Sequence, residues 1–125
     1  MGSLANMRKR IKSLISSDNH RLAYPNVLNH EDFMNLLRRE SNRADRNNRS
    51  FSVIVFHPDV KMDKVHQYTD LLTTLKKRVR LYDSIGWFDA ESIGVLLPET
   101  SKDNAYKLGG EIFGKLQKGV TYEIL

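Results

Sequence analysis

The sequence predicts an α+β domain in the order helix, strand, helix, strand, strand, helix, strand. Its last six elements form the ferredoxin-like β-α-β-β-α-β arrangement. Three observations predict this. Phe51-Ser52-Val53-Ile54-Val55-Phe56 is almost continuously apolar and β-favouring, as a strand at the centre of its sheet would be. Arg80 to Thr100 reads as a basic helix end, a short strand, a tight turn and a second apolar strand. Apolar residues at helical spacing flank that hairpin on both sides. Such a chain makes a mainly antiparallel sheet with helices packed on one face, here with an additional N-terminal helix.

The elements follow in order. Met7, Ile11, Leu14 and Ile15 form a short helical stripe among Arg8, Lys9, Arg10 and Lys12. That stripe suits a signalling helix, a membrane-surface helix or a helix packed on its own domain. Ser16 to His20 is a turn-rich linker, so residues 1–21 are expected to be a helix and linker, and 22–125 the domain. Asn29 is placed to cap a helix whose first turn carries Glu31 and Asp32 and whose apolar face is Phe33, Leu36, Leu37 and Ala44. Asn47 to Ser50 breaks it before the central strand. A helix over Asp63 to Val79 turns Val65, Tyr68, Leu72, Leu75 and Val79 inward, with Lys76, Lys77 and Arg78 in its last turn.

In the hairpin, Ile85, Trp87 and Phe88 precede a turn at Asp89-Ala90-Glu91-Ser92, and Ile93, Val95, Leu96 and Leu97 follow it. Pro98 ends the second strand, and Thr100 with Asp103 has capping-box spacing for the last helix. That helix, about Lys102 to Gln117, faces Ala105, Leu108, Ile112, Phe113 and Leu116 inward, and Gly109-Gly110 permits close packing or a kink. Gly119 terminates it before a strand over Val120 to Leu125.

Composition excludes several classes of function. The chain has 125 residues and no cysteine, so it is one domain without disulfides, thiolate metal sites or cysteine nucleophiles. No apolar run approaches the ~18 residues of a membrane span, and no signal-peptide pattern opens the chain. A cytoplasmic protein is expected. The net charge of +5 favours phosphate-bearing partners, yet no basic run is interleaved with aromatics as a nucleic-acid platform needs.

Arg80-Leu81-Tyr82-Asp83, five residues, Asp89-Ala90-Glu91-Ser92-Ile93 and then Val95-Leu96-Leu97-Pro98-Glu99-Thr100 resemble the GGDEF family of diguanylate cyclases. The family pattern is R-x-x-D, five residues, G-G-[DE]-E-F and a strand ending L-P-x-T. Phe33, Leu37 to Glu40 and Arg43 to Arg46 fit the family's first helix, and Asn29 fits the segment leading into it. The resemblance implies the nucleotidyl-cyclase version of the ferredoxin-like sheet. In the family, chain continues beyond the last strand found here, which implies a truncated or shorter domain.

The same comparison implies lost catalysis. Asp89 and Ala90 stand where the glycine pair lets backbone approach phosphates, and Asp89 adds negative charge there. Glu91 keeps the acidic third position, while Ser92 loses the fourth. His57 stands where the family has a magnesium-binding aspartate, with Asp59 on the next position, and a neutral imidazole suits magnesium poorly. The guanine-recognition motifs have no counterpart between Met62 and Leu72. No catalytic residue, metal ligand or cofactor is therefore assigned.

The family's R-x-x-D is a product-inhibition site and, in inactive members, a receptor site, so the resemblance makes Arg80 and Asp83 candidate ligands of cyclic di-GMP. An arginine can fork onto phosphate or guanine, and a carboxylate accepts from guanine N–H groups. The alternative is that Arg80 and Asp83 pair with each other and brace the hairpin. The expected function is a non-catalytic GGDEF-like regulatory domain in bacterial signalling, acting through a protein partner, a homodimer or cyclic di-GMP. Gly86-Trp87 resembles degenerate domains accompanying sugar transferases, so an accessory domain of an exopolysaccharide protein is one alternative. A residual metal-dependent cyclase using Glu91 with Asp59 is another.

Overall fold

The structure, a computed structural model, describes residues 24, 26–59, 64–116 and 119–125. The stripe of Met7 to Ile15 and the linker after it lie outside the described residues. Seven elements follow: α1 (His30–Asn47), β1 (Phe51–Pro58), α2 (Lys64–Arg78), β2 (Ser84–Trp87), β3 (Ile93–Pro98), α3 (Lys102–Lys115) and β4 (Val120–Ile124). The four strands form one sheet in the order β2-β3-β1-β4, with every neighbouring pair antiparallel. This is the α+β, β-α-β-β-α-β architecture that the hydrophobic patterns predict.

The central strand is β1, as its unbroken apolar run requires. Val53 and Val55 point to one face with Leu96, while Ile54 and Phe56 point to the other with Val95 and Leu97. Both faces are covered. Helices α2 and α3 share the second face, through Tyr68, Leu71, Leu72 and Leu75 and through Ala105 and Ile112. Helix α1 takes the opposite face, where the fully buried ring of Phe33 is the centre of a smaller core.

Phe33 needs a flat floor, and glycine provides it. Gly86 and Gly94 face each other across β2 and β3, and a β-carbon on either would run into the Phe33 ring. Beside them, Leu28 pairs with the outer edge of β2, its N–H donating to Ile85 O and its carbonyl accepting from Trp87 N–H, each at 2.9 Å.

Several local expectations hold and others shift. Asn29 caps α1, its side chain accepting from Asp32 N–H at 2.8 Å. The N-cap of α3 is Ser101, accepting from Asn104 N–H, and not Thr100. Thr100 lies one residue too early and its hydroxyl is engaged elsewhere. Val65 was expected inward but is 68% exposed, because it sits in the first turn of α2, before the Tyr68–Leu71–Leu72–Leu75 stripe reaches the sheet. Leu71, absent from the expected inward set, is fully buried. Phe113 is also exposed, since Ile112 takes the sheet-facing position and Phe113 falls on the flank, its ring 5.9 Å from that of Tyr122. Gly109 does permit close packing: the Tyr122 ring occupies the space of its missing side chain. Gly119 stands after the extended C-cap Leu116, with φ 106°, and leads into β4 instead of ending the helix.

Candidate functional site

Arg80 and Asp83 meet where α2 gives way to β2. The Asp83 carboxylate accepts from Arg80 N–H at 2.7 Å, and Asp83 N–H donates to Arg80 O at 3.0 Å, which closes the turn out of the helix. The Arg80 guanidinium then folds back on the same carboxylate, with Nε 3.1 Å from both oxygens and Nη2 2.9 Å from Oδ1. Nη2 also reaches Thr100 Oγ1 at 2.7 Å and Pro98 O at 3.1 Å, so the contact spans from the end of α2 to the corner between β3 and α3. The Tyr82 ring stacks on the guanidinium, 4.5 Å from its carbon to the ring centre.

Burial separates the roles of the two side chains. The Asp83 side chain is 1% exposed and Arg80 41%, so the carboxylate is the anchor and the guanidinium the partly solvated outer layer. The Arg80 pKa is pushed above its ordinary value, first by the hydrogen bond to Asp83, against the opposing effect of burial. Two grooves share this pair. One, of about 650 Å³, runs past Lys76, Val79, Leu81 and Ile85. The other, of about 260 Å³, runs past Arg78, Glu99, Asn104 and Leu108. The bracing alternative foreseen for these residues is thus formed in full, and grooves still open on both sides of it.

The hairpin turn lies at the far end of β2 from Arg80. Asp89 Oδ1 accepts from Glu91 N–H at 2.9 Å and from Ser92 N–H at 2.7 Å, while Phe88 N–H donates to Ser92 O at 2.9 Å. Short acidic side chains readily satisfy their own turns in this way. Ala90 sits between them. Tyr68 O–H donates to Glu91 O at 2.6 Å, tying the tip to α2.

His57 completes this end of the molecule. The β1–β4 register sets it opposite Thr121, and its Nδ1 lies 2.8 Å from Ser92 Oγ and its Nε2 3.2 Å from Glu123 Oε1. One imidazole therefore joins the turn, β1 and β4. The sequence gave no spacing signal for that chain, because strand register alone brings positions 57, 92 and 123 together. Nor did it signal Thr100 as a partner of Arg80. Among the described residues, no group of three or more His, Asp or Glu side chains is set to hold a metal ion, and no helix is long and apolar enough to cross a membrane.

No protein-family model and no curated protein matches the sequence. Solved structures do match the fold. One is the crystal structure of a DGC protein from Thermotoga maritima, with a TM-score of 0.68 and 21% identity over 79% of each chain. Another is the diguanylate cyclase SiaD of Pseudomonas aeruginosa, solved in complex with its activator SiaC, with a TM-score of 0.63 and 16% identity. That match covers 97% of this chain and 56% of the cyclase, so the chain spans little more than half of that protein's length. The architecture is the GGDEF-like fold of diguanylate cyclase domains.

Proposed function

We propose that this chain is a non-catalytic GGDEF-like regulatory domain of a bacterial signalling system, working in the cytoplasm through a protein partner or as a receptor for cyclic di-GMP at Arg80 and Asp83. The observation that carries the non-catalytic part is Asp89. Its carboxylate sits on the Glu91 and Ser92 amides, which are donors that a phosphate would otherwise take. A turn that supplies its own anion repels a second one. His57, bonded to Ser92 and Glu123, supports the same reading, since an imidazole engaged on both nitrogens has no lone pair to offer a metal.

The receptor part rests on Arg80. Among the described residues, its bonds to Asp83, Pro98 and Thr100 engage Nε and Nη2 and leave Nη1 to face a ligand. Asp83 fixes the guanidinium plane, and such preorganisation favours forked recognition of phosphate or a guanine edge. A protein partner is the companion reading, in keeping with the activator-bound state of the Pseudomonas cyclase.

The deciding experiment is calorimetric titration of cyclic di-GMP into the wild type and into Arg80→Ala, with GTP turnover in magnesium assayed alongside. Saturable binding lost in Arg80→Ala supports the receptor. A folded wild type that takes up no ligand removes it and leaves the protein-contact reading. Turnover that disappears in Glu91→Ala overturns the whole proposal in favour of a residual cyclase.

A further inference from the structure

Helix α3 carries two glycines that its own domain does not use. Ala105, Gly109 and Ile112 form the buried side of the helix, and Gly109 gives way to the Tyr122 ring. Gly110 and Gly114 lie on the opposite, exposed side. A β-carbon at Gly114 would meet nothing within 4 Å, and one at Gly110 would have only the Tyr122 hydroxyl at 3.8 Å. Glycine is the poorest helix former after proline, so two of them on a solvent-facing ridge weaken α3 with no internal packing in return. Neither is needed for a special backbone conformation, since both are helical. Exposed aromatic rings flank the bare strip: Tyr106, 51% exposed, four residues before Gly110, and Phe113, 50% exposed.

We propose that this face of α3 is a docking surface for α3 of a second copy of the chain, packed antiparallel and crossing at Gly110. The spacing is self-complementary. In an antiparallel pair centred on Gly110, a residue four positions before the centre falls opposite a residue four positions after it. Tyr106 of each copy therefore falls opposite Gly114 of the other, a ring over a bare backbone, twice by symmetry. Within this chain Tyr122 already packs on Gly109 in that way. Charge complements the shape. Asp103 lies in the first turn of α3 and Lys115 in the last, so the antiparallel arrangement sets each Asp103 near the other copy's Lys115. The helix dipoles are opposed as well. A parallel pair would bring like ends together. One crossed helix pair buries less than the ~1,200 Å² of a standard interface, so the dimer is weak and forms at high local concentration.

The test is sedimentation equilibrium of the 125-residue chain from micromolar to about millimolar concentration, with thermal melts of dilute protein. Gly114→Gln is expected to raise the melting temperature of the dilute monomer, because a better helix former replaces glycine in open space. The same change weakens self-association by at least about tenfold, because the side chain fills the seat of Tyr106. Asp103→Lys weakens association, and the double variant Asp103→Lys with Lys115→Asp restores it. A wild type that stays monomeric throughout the range overturns the proposal and leaves the face to a different protein. Association left unchanged by Gly114→Gln overturns it too, and places the dimer contact elsewhere in the chain.

Discussion

Arg80 Nη2 lies 2.7 Å from Thr100 Oγ1, twenty residues away, while the same guanidinium holds Asp83. The end of α2, the start of β2 and the corner leading to α3 are thereby fixed by one side chain. Arg80→Ala leaves the buried Asp83 carboxylate without its main partner and is expected to cost about 1–3 kcal/mol. Arg80→Lys recovers little of that, because an ammonium cannot reproduce the planar fork. Urea unfolding of the three proteins checks both statements.

The pH dependence of that contact follows from its sign. Arg80 is held charged above its ordinary value, so its contribution is fully present below the ordinary arginine range and is lost only as pH rises through the raised value. The stability gap between wild type and Arg80→Ala is expected to stay flat between about pH 6 and pH 9. A gap that closes within that window would show that another group governs the contact.

Gly86→Ala puts a methyl group into the Phe33 ring. Overpacking of this kind costs about 1–3 kcal/mol. Phe33→Leu is destabilising alone, but combined with Gly86→Ala it should cost less than the sum of the two. A double-mutant cycle by chemical denaturation measures that coupling, and simple additivity would mean the two residues are independent.

Asp89 separates chemistry from shape. Asp89→Asn keeps an acceptor for the Glu91 and Ser92 amides and should change stability little. Asp89→Ala leaves both donors to solvent and should cost about 0.5–1.5 kcal/mol. Hydrogen exchange at those two amides reads the difference directly: faster in Asp89→Ala, unchanged in Asp89→Asn.

Glu99 adopts φ 53°, a left-handed conformation that a glycine adopts freely. Its ion pair with Arg49 is exposed on both sides and contributes little. Glu99→Gly should therefore be neutral or stabilise by up to about 1 kcal/mol, seen as an unchanged or raised melting temperature.

The parts of this molecule that were legible in its sequence are those set by local pattern. The apolar run of β1, the hairpin residues around Asp89 to Ser92 and the Asn29 cap each depend on neighbours in the chain. Helix faces were read less well, because Val65 and Phe113 carry the right chemistry at positions where the sheet does not reach them. The contacts of the candidate site were hidden for a different reason. Arg80 with Thr100 and His57 with Ser92 and Glu123 join segments whose alignment is fixed only by strand register. The floor beneath Phe33 was equally invisible, since Gly86 and Gly94 become neighbours only once β2 and β3 pair.

The position of β1 also dictates the order in which this protein can be assembled during synthesis. It is the first strand to be made, yet its two neighbours are β3 and β4, with Phe51 opposite Pro98 and Ile54 opposite Ile124. Only the β2–β3 hairpin can pair from nearby chain. A growing polypeptide therefore carries its most apolar strand unpaired until the last strand leaves the ribosome. During that interval the Val53–Phe56 run is the segment most in need of a chaperone, and nascent chains halted before Val120 should be captured by one more readily than full-length chains.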